Sequence, residues 1–147
     1  MVKKDTPLLV LGMHIDEQDR YALLCGRCGG ICITTVNCYG PNIDDPGSFT
    51  TLWGAILVTD LQSLIWGEDF NCALQEQVDR SPSSVEARSV AALWIRAIMP
   101  EHRLLDIWRH RHTQKREGTF YSVVHDMWSR LDYWLVTPDV GPWVKEI

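Results

Sequence analysis

Asp69 and Asn71 stand two residues apart where an apolar run, Leu64-Ile65-Trp66, gives way to Gly67-Glu68-Asp69-Phe70-Asn71. A carboxylate at such a place can take a proton, and a carboxamide can donate hydrogen bonds to a phosphoryl oxygen. If the run is a strand, both side chains leave its end on one side, where a phosphate would meet both. The chemistry indicated is phosphodiester hydrolysis, which needs an activated water, neutralised phosphate charge and donors aimed at the developing oxyanion. The structural alternative is that the two side chains only close a turn.

Holding such a pair in place requires a sheet. Tyr21 to Cys25 and Gly30 to Tyr39 read as two β segments joined by a glycine-rich loop. The second alternates Ile31, Ile33 and Thr35 with Cys32, Thr34 and Val36, so both of its faces are largely apolar and a strand covered on both sides is expected. It ends in the turn cluster Tyr39-Gly40-Pro41-Asn42. Phe49, Leu52, Trp53, Ile56, Leu57 and Leu61 recur at helical spacing behind a Ser48 N-cap, and the helix leads into Leu64-Ile65-Trp66 as a β-helix-β unit. Ser83-x-x-Glu86 has capping-box form ahead of a second helix, with Pro100 as its stop. Further on, Thr119-Phe120-Tyr121-Ser122 and Ser129 to Val136 are β-rich and are expected to pair. Strands and helices mixed without regular alternation indicate an α+β sandwich.

The chain has 147 residues, 46% of them hydrophobic, enough for one domain with a real core. Its longest apolar runs fall well short of the roughly 18 residues of a membrane helix, and Met1-Val2-Lys3-Lys4-Asp5 leads into no signal-peptide core, so an intracellular location, cytoplasmic or nuclear, is expected. Five cysteines fit a reducing compartment; Cys25 and Cys28 form a lone CxxC, and no second pair or nearby histidine completes a zinc site. The net charge of −5 argues against a general nucleic-acid coat, but basic residues concentrate between Arg103 and Arg116. That segment reads either as a solvated face or as a phosphate-tracking surface.

Several short motifs fall in a specific order: Asn37-Cys38-Tyr39-Gly40-Pro41-Asn42, Gly67-Glu68-Asp69-Phe70-Asn71, Asp79-Arg80-Ser81, Asp106-Ile107-Trp108-Arg109, Thr119-Phe120-Tyr121-Ser122 and Ser129-Arg130-Leu131-Asp132-Tyr133. Together they resemble the endonuclease/exonuclease/phosphatase superfamily, and in particular the apurinic-like endonuclease of LINE-type retrotransposons. The resemblance runs from about Asp19 to Val136. It divides the chain into an N-terminal extension, 1–18, and a partial domain, 19–147.

The resemblance implies a four-layered β-sandwich flanked by helices, as in deoxyribonuclease I, with a Mg²⁺-dependent site at the strand ends and DNA as partner. Asp69 would help activate the attacking water, Asn71 and Tyr39 would hold the scissile phosphate, and Asp132 would orient a histidine. Asn42 would help build the pocket, Phe120 and Tyr121 would shape its DNA-facing side, and Arg130 would contact substrate. The family also has a metal-binding glutamate in a Gln-Glu-Thr-like segment and a late Ser-Asp-His. Neither occurs in these residues, and no histidine follows Asp132. The expectation is therefore a truncated, inactive relative of a DNA-nicking endonuclease.

Two other readings stand beside it. The Asp16-Glu17-x-Asp19 cluster could supply a substitute metal ligand, or the chain could be a non-catalytic nucleic-acid or protein interaction module built on residues 103–116. One departure from the family concerns the site itself: Glu68 stands where the family has glycine, placing bulk and a second negative charge beside the phosphate.

Overall fold

The computed structural model describes residues 7–59, 63–82 and 89–145. Along the chain run β1 (Leu8–Ile15), β2 (Tyr21–Cys28), β3 (Ile31–Tyr39), α1 (Pro46–Leu57), β4 (Ser63–Asp69), α2 (Glu76–Asp79) and β5 (Arg80–Ser81). There follow α3 (Val90–Glu101), β6 (Leu105–Asp106), α4 (Ile107–Arg111), β7 (Phe120–Ser122), β8 (Met127–Ser129), β9 (Asp132–Val136) and a 3-10 turn at Gly141–Trp143. The architecture is α+β.

A six-stranded sheet in the order β1-β2-β3-β4-β9-β6 carries the fold, and a small sheet, β5-β8-β7, sits apart from it. Gly29 and Gly30, at φ +56° and +89°, turn β2 into β3, which then crosses through α1 to the parallel strand β4. The β-helix-β unit expected from the sequence is therefore present. β1 is an additional antiparallel strand, and it lies within the stretch read as an extension. The acidic turn at Asp16–Asp19 connects β1 to β2.

One face of the sheet is sealed by helices. Val36, Cys38, Leu64, Trp66, Tyr133 and Leu135 meet Phe49, Leu52, Trp53 and Ile56 of α1 and Ala92, Ile95 and Ile98 of α3. Trp66, Ile56, Ile95 and Leu135 are fully buried, and each side chain of this kind stabilises by about 2 kcal/mol. On the opposite face, among the described residues, only the β9–β6 end is covered, where Val136 with Ile65 and Leu105 packs under Ile107, Val140 and Val144. β3 is accordingly buried on one side only: Cys32, Thr34, Val36 and Cys38 point inward, while Ile31 and Asn37 are exposed. The expected double coverage fails because apolar β-branched residues such as Ile33 and Thr35 sit on a pleated surface whether or not a second layer covers it.

Three local readings change. Asp45, not Ser48, caps α1, accepting from the Gly47 amide at 2.9 Å and the Ser48 hydroxyl at 2.7 Å. α3 starts at Val90 behind Ser89, whose hydroxyl accepts from the Ala92 amide at 3.0 Å, and it runs through Pro100 to Glu101. The Ser83 capping box lies outside the described residues. Finally, the stretch from Ser129 to Val136 is not one strand. It breaks at Arg130–Leu131, so β8 pairs with β7 in the small sheet while β9 joins β4 and β6 in the large one.

Candidate functional site

β3, β4 and β9 end together, and their register sets Tyr39, Asp69 and Asp132 in one row. Registered neighbours share a face, so the three side chains leave the sheet on the same side. Tyr39 is 51% exposed, and its hydroxyl donates to Asn42 Oδ1 at 3.1 Å. Four of the predicted residues are thereby brought to one end of the sheet.

Asn71 joins them by a different route from strand alternation. β4 stops at Asp69, with Glu68 at φ +97° and Asn71 at φ +51°, so the backbone enters the left-handed region on both sides of Asp69. Asparagine tolerates that conformation; glutamate adopts it under strain. The Asn71 amide N–H donates to Asp69 Oδ1 at 2.8 Å, and Nδ2 donates to the Gly40 carbonyl at 2.6 Å. Gly40 has to be glycine here, since a Cβ would lie 2.4 Å from the Phe70 carbonyl oxygen. Asp69 and Asn71 thus do close a turn, and that turn is what pins them beside Tyr39 and Asp132.

Asp69 is half-buried. Burial pushes its carboxyl above the ordinary range; the Asn71 amide pulls it back, and the charges of Asp132 and Glu68 push it further up. A carboxylate so placed is a stronger base than a free one.

Asn42 and Asn71 line a cavity of about 220 Å³ together with Asp44, Phe70 and Arg80. Arg80 is a cavity-lining residue that the motif reading passed over. Its Nη1 lies 3.2 Å from Glu76, and its buried Nε has no hydrogen-bond partner among the described residues. A guanidinium beside two carboxamides is suited to a phosphate. The signal was there in Asp79-Arg80-Ser81, taken only as a family marker.

Arg130, expected at the substrate, is 2% exposed and fully engaged. Its Nε donates to Asp79 at 2.9 Å and its Nη2 to Asp106 at 2.5 Å, while Arg109 Nη2 donates to Asp79 at 2.5 Å. The Trp108 ring packs against both guanidinium groups, each 4.8 Å from its centroid. This buried network ties the end of α2, α4 and the break between β8 and β9 together, and it occupies the Arg130 guanidinium. Burial nevertheless opposes the charge on Arg130, and Asp106 and Asp79 more than restore it.

Within residues 103–116 three basic side chains are engaged by other groups. Arg109 is 7% exposed inside the network, Arg111 donates to the carbonyls of Gly141, Val144 and Lys145, and Lys115 pairs with Glu117 at 2.9 Å. Arg109 is withdrawn into the interior, whereas Arg111 stays exposed while it holds those carbonyls. Phe120 and Tyr121 are exposed on β7, at 51% and 40%, but as strand neighbours they face opposite sides of the small sheet. Tyr121 lies against Trp128, ring centroids 5.1 Å apart.

The donor set does not fit Mg²⁺. Among the described residues no group of three or more His, Cys, Asp and Glu side chains is placed to hold a metal ion. Asp69 Oδ1 is already an acceptor for Asn71. Asp16, in the early acidic cluster, is held by Arg20 Nε at 3.0 Å. Cys32, Cys38 and Cys72 act as small buried groups, with the Trp66 indole N–H donating to Cys38 Sγ at 3.2 Å, and Cys25 and Cys28 are partly exposed.

Comparison with solved structures shows which proteins share this α+β fold. The chain superposes on a 3′ phosphatase from Neisseria bound to a product DNA hairpin with a TM-score of 0.62 and 19% identity, over 92% of this chain and 61% of the other. It superposes on an AP endonuclease from Leishmania major with a TM-score of 0.61 and 18% identity, over 87% and 49%. The endonuclease domain of TRAS1, a telomere-specific non-LTR retrotransposon, gives 0.61 and 18%, over 93% and 59%. The chain thus spans about half to three-fifths of the length of these structures. No protein-family model matches it. Among the described residues no helix is long and apolar enough to cross a membrane.

Proposed function

We propose that the chain is a relative of a Mg²⁺-dependent, retrotransposon-type endonuclease, that its residues form the phosphate-binding side of the site, and that these residues alone do not nick DNA. The observation that supports this reading is the registered row Tyr39-Asp69-Asp132, with Asn71 and Asn42 beside it, on a fold shared with AP endonucleases. In this reading the second layer of a four-layered sandwich would cover the half-exposed face of the large sheet, and DNA is the partner.

The chain's own groups define what it can still do. Asp69 can accept a proton from water. Asn71, Asn42 and Tyr39 can turn their donors from Gly40 and from one another onto a phosphate, and Arg80 can neutralise part of its charge. A Mg²⁺ ion, in the family, supplies further charge neutralisation; these residues do not assemble its ligands, and catalysis by groups that act as a unit falls by orders of magnitude when one is removed.

The test is purified chain with supercoiled plasmid and Mg²⁺, alongside NMR with a short DNA duplex. No nicking is expected, while the Asn71 and Asn42 side-chain amides shift on adding the duplex. Nicking that Asp69→Ala abolishes would overturn the inactivity. Unmoved amides would overturn the phosphate site.

A further inference from the structure

We propose that a second cavity, beside Trp128, receives one unpaired nucleotide, the neighbour of the phosphate held at Asn42 and Asn71. Its place in the strand rests on the phosphate reading above, whereas the cavity stands on its own geometry. It has a volume of about 300 Å³ and lies between the end of α2, β5, the loop 116–118 and the Trp128 indole. Ser81 is registered opposite Trp128 and Trp128 opposite Tyr121, so the three side chains share one face of the small sheet. Gly118 lets the loop close on the indole, since a Cβ there would lie 2.9 Å from Trp128 Cβ. Tyr121 packs beside the ring, and Trp128 stays 51% exposed.

Charge and shape select the occupant. The acidic residues of the lining are already matched, Asp79 by Arg109 and Arg130 and Glu117 by Lys115. Arg116 is exposed and, among the described residues, has no carboxylate within ion-pair distance. The lining therefore offers an anion a guanidinium that nothing else claims, with the exposed Ser81 hydroxyl as a second donor. A half-exposed indole in the same cavity is a stacking platform for a base. Phosphate on Arg116 and base on Trp128 together describe a nucleotide. A base inside a duplex is already stacked and cannot reach such a platform, so the nucleotide has to be unpaired. At about 300 Å³ the cavity is at the small end of ligand sites, which limits it to one nucleotide. Arg80 lines both this cavity and the one beside Asn71, so the two adjoin across a single guanidinium, as successive positions of one strand would require.

Two NMR signals test this, the Trp128 indole N–H, assigned with Trp128→Phe, and the Asn71 side-chain amide. Deoxyadenosine monophosphate at millimolar concentration should shift the Trp128 signal, and a single-stranded trinucleotide should shift both. Trp128→Ala should weaken binding of the mononucleotide about tenfold, and Arg116→Gln, at an exposed position, should weaken it several-fold while circular dichroism stays unchanged. A Trp128 signal that neither probe moves would overturn the proposal, even where the Asn71 amide responds to the trinucleotide. Inorganic phosphate binding as tightly as the mononucleotide would overturn it too, as would a duplex that moves the Trp128 signal as far as the single strand does. Phosphotyrosine matching the mononucleotide would do the same, by making the cavity a phosphopeptide site. A trinucleotide that shifts Trp128 but leaves the Asn71 amide in place would instead overturn the phosphate reading and uphold the cavity as a nucleotide site.

Discussion

Asp132 stands directly opposite Asp69 across β4 and β9, so the residue best placed to take a proton shares its strand end with a second negative charge. Burial and this neighbour hold the Asp69 carboxyl above its ordinary range even though the Asn71 amide donates to it.

A carboxyl raised on folding contributes stability that is complete below its unfolded pKa and is lost as the pH rises through its folded pKa. Asp69→Asn keeps an acceptor for the Asn71 amide and removes the titration. The variant should therefore lose less stability than the parent between acid and neutral pH. Urea midpoints across that range measure this, and parallel curves for the two proteins would contradict it.

Glu68 holds φ +97°, where a side chain is strained and glycine is not. Glu68→Gly should stabilise the chain by about 1 kcal/mol, the relief of strain exceeding the added freedom of the unfolded state. It should also lower the Asp69 carboxyl by removing one like charge. Equilibrium unfolding and an NMR titration of Asp69 are the two measurements.

Asp79 is 2% exposed and accepts from both Arg109 and Arg130. Asp79→Ala strands two buried guanidiniums and should destabilise by about 3–5 kcal/mol. Asp79→Asn keeps acceptor oxygen and should lose less. Thermal unfolding of the pair would show it; equal losses would mean that the network acts through shape rather than charge.

At Gly67 an added Cβ would lie 2.3 Å from a ring carbon of Trp134. Gly67→Ala should push the indole off the sheet at about 1–3 kcal/mol. Near-ultraviolet circular dichroism should record the changed tryptophan environment, and an unchanged spectrum would place the ring elsewhere.

Much of the site was legible because it is written in short-range chemistry. Tyr39-Gly40-Pro41-Asn42 marks a strand end, and Asp69 and Asn71 mark another, by turn propensities that act within a few residues. The helix behind Phe49, Trp53 and Ile56 was legible from its period, but its cap was displaced from Ser48 to Asp45 because neighbouring oxygens compete for the same amides. The break at Arg130–Leu131 was not legible. Tyr133, Leu135 and Val136 suit a strand in either sheet, and the choice was made by pairing with β4, more than sixty residues earlier.

The sequence by itself determined the strand-end turns, the β-helix-β crossover and the residue types gathered at the candidate site, since these depend on local propensity and periodicity. Tertiary structure alone decided which charges lie beside that site. Arg130 and Arg109 are as basic as Arg80 in the sequence, yet Asp79 and Asp106 draw them into the interior, while Arg80 lines the cavity beside Asn71. The physical reason is that a buried charge needs a partner, and the partner's distance in space cannot be read from its distance along the chain.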